Sequence, residues 1–184
     1  MSAYSLFASL PNLISIARLL AVPVVIVLIV MPNWMGAFLL FVVGGISDAV
    51  DGFLAKRFNL QTDLGAFLDP IADKALLVSI YVTLAITHEI PAVIAILVVS
   101  RDALIVGAFL VAWLMDKPME VRPHLVSKAN TTAQISLAAA ALGMRAFEIE
   151  IGGWFFYSLY VCVAVLTLAS LAVYFVQWLK HMDV

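Results

Sequence analysis

Charge is scarce in this chain, cysteine is almost absent, and no stretch gathers basic residues into a face. Asp, Glu, Lys and Arg make up 12% of 184 residues, against about a quarter in soluble domains. The formal net charge of −2, with no basic cluster, excludes a nucleic-acid partner. The single cysteine, Cys162, excludes an intramolecular disulfide and, within an apolar run, reads as a small buried or lipid-facing residue. No basic segment precedes the first apolar run, so no cleavable signal is expected. Internal repeats and low-complexity tracts are also missing, which predicts one membrane domain over residues 1–184.

What is present is apolar surface. Hydrophobic residues make up 65% of the chain, with a mean hydropathy of +1.11. A fold this small cannot enclose so much, so lipid must cover the remainder. A spanning helix needs about 20 mostly apolar residues, and six stretches qualify: about 13–31, 35–55, 67–87, 91–115, 125–144 and 153–179. Polar, proline or glycine breaks separate them. The pattern predicts an all-α integral membrane fold of six transmembrane helices with a cytoplasm-facing polar cleft.

Six spans place both termini on one side, together with the 56–65 and 116–124 loops. That side carries Lys56, Arg57, Lys117, Arg122 and Lys180, and the other only Arg145. The bias of Lys and Arg toward the cytoplasm therefore predicts cytoplasmic termini in a multi-pass protein, with a bacterial inner membrane as the expected setting. Trp34, Trp154 and Trp178 fall near helix ends as interface anchors. His88, His124 and His181 also lie at helix ends and read as interfacial residues.

Four carboxylates stand out against this background. Asp48, Asp51, Asp69 and Asp73 lie within or beside spanning segments, where each costs about 2.5–3.5 kcal/mol at the bilayer centre on insertion scales. Asp48 and Asp51 are three apart and Asp69 and Asp73 four apart, so each pair shares a helix face. The 56–65 connection is expected to fold the two helices into a hairpin, bringing both pairs to one cleft. Four oxygen donors suit a hard cation, Mg²⁺ or Mn²⁺, and the absence of His and Cys there argues against zinc. Salt bridging to Arg18, Lys56, Arg57 or Lys74 is the alternative. Gly44, Gly45, Gly52, Ala55, Gly65 and Ala66 leave room for a bulky ligand, or for close helix packing.

The string from Asp48 to Asp73 resembles the signature of the CDP-alcohol phosphatidyltransferases, D-x2-D-G-x2-A-R-x8-G-x3-D-x3-D. Asp48, Asp51, Gly52, Ala55, Gly65, Asp69 and Asp73 match; Lys56 stands where the family has Arg, with Arg57 beside it. The resemblance implies six helices, usually as a homodimer, and a divalent-metal site. Its metal-binding residues would be Asp48, Asp51 and Asp69, gripping the pyrophosphate of a CDP-linked lipid, with Asp73 at the same site as general base. Gly52, Ala55, Lys56 and Gly65 would border the CDP-lipid. The opening Pro11-Asn12-Leu-Ile-Ser15-Ile-Ala-Arg18 is similar to the family's N-terminal motif; Asn12 would contact the nucleotide or cap a helix.

The signature implies CDP-diacylglycerol as donor and leaves the acceptor open. Arg18, Arg101, Lys128 and Asn130 are candidates for an acceptor-phosphate pocket. Against this, Arg101–Asp102 also reads as a self-neutralising pair and Lys128 as a snorkelling lysine. The stretch Ser127-Lys128-Ala-Asn130-Thr131 and the sequence Ser100-Arg101-Asp102 resemble the cardiolipin synthase branch, which uses phosphatidylglycerol. Phosphatidylglycerophosphate synthases, which use glycerol 3-phosphate, more often resemble Gly-Lys-x-Lys-Thr and Ala-Arg-Glu. Asn130 in place of a lysine suits the less charged acceptor. A small cation- or proton-coupled transporter also places acids in the membrane, but usually at the midplane and with internal repeats.

Overall fold

The computed structural model describes residues 3–58, 63–114 and 125–182. Six helices follow one another: α1 (Ala3–Val30), α2 (Trp34–Phe58), α3 (Asp63–Ile86), α4 (Ala92–Leu114), α5 (Leu125–Phe147) and α6 (Gly153–Met182). Among the described residues there is no strand. Each expected apolar stretch is a helix, because each is a run of residues without a break long enough to stop it. The break at Met31–Asn33 and the one at Thr87–Pro91 fall between helices, but α2 runs on to Phe58 and α3 starts at Asp63, so both ends of the expected 56–65 connection are helical.

The largest departure is at the N-terminus. α1 begins at Ala3, ten residues before the expected span, so Asn12 and Pro11 lie inside the helix and Asn12 is not its cap. Arg18 therefore sits fifteen residues after the start of α1, about 22 Å at the usual helical rise.

Two helix ends close on non-glycine residues with positive φ. His88 (φ 62°) and Glu148 (φ 53°) each turn the chain so that the next amide donates back into the helix: Glu89 N–H to the Leu84 carbonyl at 2.8 Å and Ile149 N–H to the Met144 carbonyl at 3.0 Å. These bonds satisfy carbonyls that the helix itself leaves open. At the same end of the bundle, Arg145 forks onto Glu89 at 2.6 and 2.9 Å and lies over the Trp34 ring. This clamp joins α5 to the α3–α4 turn and to the start of α2.

α1 packs against both α2 and α3, α5 against α2 and α6, and α4 against α3 and α6. α1 lies against both α2 and α3, and those two helices also meet directly at Gly44, where a Cβ would stand 2.9 Å from the Leu76 side chain. The core runs along α3, where Ile80, Tyr81 and Leu84 are fully enclosed with Val25, Val98, Leu137, Leu142 and Val163 around them. Outward faces remain apolar, as at Leu20, Ile46, Leu104 and Leu168. Asn12–Val30 and Gly153–Lys180 are long and apolar enough to cross a membrane, and only 22% of each apolar window is buried. A soluble core helix would be mostly buried; these faces suit lipid.

Candidate active site

Three helices build a cluster around Arg18. On α1, Ser15 and Arg18 are three residues apart and share a face; on α3, Asp69 and Asp73 are four apart and do the same. The two faces meet, so that Ser15 Oγ donates to Asp69 Oδ1 and Arg18 Nη1 donates to Asp73 Oδ1. The same Nη1 donates to Asp48 Oδ1 on α2 at 2.9 Å. One buried guanidinium nitrogen therefore holds carboxylates from two helices, α2 and α3.

Exposure shows which way this cluster opens. The Arg18 side chain is 2% exposed, whereas those of Asp48 and Asp73 are 45% and 42% exposed. The cation forms the floor and the carboxylates the rim. Among the described residues, Asp48, Asp69 and Asp73 outnumber the one guanidinium that pairs with them, leaving an excess of negative charge at an opening lined by oxygen donors. That donor set fits a hard divalent cation. Among the described residues no group of three His, Cys, Asp or Glu is gathered closely enough to hold a metal. The side chains of Asp51, Gly52, Ala55, Lys56 and Gly65 lie outside the described residues, although their backbone belongs to α2 and α3.

A second cluster begins one residue further along α3. Lys74 Nζ donates to Asp102 Oδ2 on α4 at 2.6 Å, and Asp102 Oδ1 accepts from Arg101 Nη1 at 2.6 Å. Arg101 Nη2 donates to Ser127 Oγ on α5 at 2.6 Å and to Ser170 Oγ on α6 at 2.7 Å. The guanidinium lies over the Tyr174 ring, 5.6 Å from its centre. Three helices, α4, α5 and α6, thus meet at Arg101, and α3 joins them through Lys74 and Asp102.

The four candidate acceptor residues are not gathered in one place. Arg18 joins the aspartates instead of Arg101. Asn130 is fully buried and its Oδ1 accepts from Thr167 Oγ1 at 2.9 Å, so it serves α5–α6 packing. Lys128 is exposed. Below Asn130, Gln134 is also fully buried; its backbone carbonyl takes the Tyr81 hydroxyl at 2.9 Å. Beside the second cluster, an apolar groove of about 590 Å³ runs between α4 and α6, walled by Leu104, Gly107, Ala108, Leu168, Tyr174 and Trp178.

A family model described as CDP-alcohol phosphatidyltransferase matches residues 8–176. The chain belongs to the CDP-alcohol phosphatidyltransferase family. It is 30% identical to a Rattus norvegicus protein named cardiolipin synthase (CMP-forming), over 95% of this chain and 63% of that protein. It is 31% identical to the CDP-diacylglycerol–glycerol-3-phosphate 3-phosphatidyltransferase of Bacillus subtilis, over 85% of this chain and 88% of that one. The Salmonella choleraesuis protein of the same name is 34% identical over 90% of this chain and 92% of its own length. The chain therefore spans less than two thirds of the rat relative and most of the bacterial ones. Such similar identities to both kinds of phosphatidyltransferase establish the family without separating its acceptors.

Sequence reasoning missed the part played by Lys74, which it weighed only as a partner for the four aspartates. It also missed Ser170 and Thr167 of α6. A lone Lys–Asp pairing between α3 and α4 has no local spacing to reveal it. The polar α5 stripe did have one: Ser127, Asn130 and Gln134 recur at helical spacing.

Proposed function

We propose that this chain transfers the phosphatidyl group of CDP-diacylglycerol to a hydroxyl of phosphatidylglycerol, releasing CMP and forming cardiolipin. The observation that carries phosphatidyl transfer is the convergence of Asp48, Asp69 and Asp73 on Ser15 and Arg18, at the spacings of the family signature. A polar, half-open cluster among apolar helices is costly unless it is used. The active fold is read as multi-pass, with the cluster facing the cytoplasm.

Asp48, Asp51, Asp69 and Asp73 would hold Mg²⁺ or Mn²⁺. When bound, such ions neutralise the donor's pyrophosphate and the departing CMP. The chain's own residues do the rest. Arg18 fixes Asp48 and Asp73 in register across α2 and α3, and Ser15 fixes Asp69. Asp73 takes the proton of the acceptor hydroxyl as its oxygen bonds to the phosphatidyl phosphorus and the bond to CMP breaks. Gly52, Ala55 and Gly65, with Asn12 and Lys56, would line the donor, and Arg101 and Lys128 the acceptor side.

The groove between α4 and α6 supports a lipid acceptor. Its walls are apolar, and its Tyr174 is the residue stacked on Arg101, so an acyl chain could lie beside a cation. The second reading takes glycerol 3-phosphate as acceptor, favoured by the near full-length match to the Salmonella protein. Purified protein given labelled CDP-diacylglycerol and Mg²⁺ with each acceptor separately tests the choice. Cardiolipin and CMP are expected with phosphatidylglycerol. Product from glycerol 3-phosphate alone would replace the first reading with the second.

A further inference from the structure

We propose that Lys74 is the cation that meets the phosphate of the acceptor, with Asp102 as its positioning residue. The inference rests on the phosphatidyl-transfer reading above and applies to either acceptor. Both carry a hydroxyl at one end of a glycerol unit and a phosphate at the other. With the hydroxyl at Asp73, the phosphate must find a positive group a short distance away.

Arg101 is poorly placed to be that group on its own. Its side chain is 5% exposed, and both terminal nitrogens are engaged, by Asp102, Ser127 and Ser170. An anion reaching it would have to displace a serine or a carboxylate from a buried site. Lys74 is different. It follows Asp73 directly, turned about 100° around α3, and its side chain is 43% exposed. An ammonium has three donors, and the bond to Asp102 uses one of them.

The charges divide in the same sense. Asp102 gives one oxygen to Arg101 and the other to Lys74. The enclosed Arg101 offsets the Asp102 carboxylate, so the positive charge left over belongs to Lys74, at the open edge. Asp102 is 10% exposed at its side chain and anchored from behind, so it acts as a fixed post that aims the lysine. Exclusion of Lys74 from the aspartate cluster follows too: Asp73 is turned to Arg18, not to its neighbour.

Steady-state kinetics with the full chain tests this, varying donor and acceptor in turn. Lys74→Met should raise the acceptor KM by about tenfold or more, the size of a lost charged hydrogen bond, with the donor KM little changed. Lys74→Arg should recover most of the loss. Asp102→Asn should raise the acceptor KM less, and Asp102→Glu should restore it. Lysine-directed acylation of the unmutated protein, read by mass spectrometry, gives a result independent of any variant's folding. Saturating acceptor should protect Lys74 and leave Lys180 labelled; donor alone should protect neither. Unprotected Lys74, an unmoved acceptor KM in Lys74→Met, or an equal rise in both KM values overturns the proposal. If the unmutated protein releases no CMP with either acceptor, the phosphatidyl-transfer reading itself fails. If it does release CMP, a negative result at Lys74 removes only this assignment.

Discussion

Asp73 and Lys74 are consecutive residues of α3, yet Asp73 pairs with Arg18 on α1 while Lys74 pairs with Asp102 on α4. One helical step separates the two side chains by about 100°, enough to send them to opposite neighbours. α3 therefore carries an acidic cluster and a basic one on neighbouring faces. The acidic side suits metal and pyrophosphate, the basic side an acceptor phosphate.

Chelation is the first expected outcome. Carboxylates in excess of Arg18 need a further cation to bind an anionic donor, so excess EDTA should abolish CMP release and added Mg²⁺ or Mn²⁺ should restore it. Asp48→Asn and Asp69→Asn should weaken metal and donor binding together, measured by titration calorimetry. Full turnover in EDTA would contradict the metal assignment.

Asp73→Asn isolates the base. A positioned general base contributes about 10²–10⁴-fold, so turnover should fall by that order while CDP-diacylglycerol still binds. Equilibrium binding of labelled donor checks the second half. Near-normal turnover would place the base elsewhere.

Arg18→Gln removes the guanidinium shared by Asp48 and Asp73. Losing one partner of a fully buried pair costs about 3–5 kcal/mol; with both carboxylates nearly half exposed, about 1–2 kcal/mol is expected after solvent screening. The Tm in detergent should fall, and Mg²⁺ should recover more of it than in the unmutated protein, because a bound ion replaces the missing charge. A Tm insensitive to the substitution would show that the Arg18 pairing contributes nothing.

Asn130→Lys should act on stability before specificity. Asn130 is fully buried and bonded to Thr167, so a lysine there buries an ammonium between α5 and α6. A loss of about 3 kcal/mol or more is expected, read as a large fall in Tm. A stable variant with a changed acceptor preference would mean that Asn130 reaches the acceptor after all.

Much of this was legible in the residues. Six apolar runs became six helices because their breaks are long enough to end each one, and the spacing of Asp69 and Asp73 put both on one face. The span criterion missed the first ten residues of α1, since it counts apolar length and not helix length. The residues did offer Arg18 as one of four possible cationic partners for the aspartates, and it is the one that pairs with Asp48 and Asp73; they did not say which of the four it would be. That Arg18, thirty residues from Asp48 and fifty-five from Asp73, should reach both depends on how α1 lies against α2 and α3, which no local periodicity encodes. Arg101 and Asp102 could be paired by adjacency; the reach of Lys74 across to Asp102 could not.

Competition decides whether the proposed phosphatidyl transfer ends on a lipid alcohol: labelled CDP-diacylglycerol, Mg²⁺, and phosphatidylglycerol and glycerol 3-phosphate together in one reaction, with products resolved by mass. Cardiolipin with stoichiometric CMP should dominate. Phosphatidylglycerophosphate as the main product would contradict the lipid acceptor, and absence of CMP with both would contradict phosphatidyl transfer.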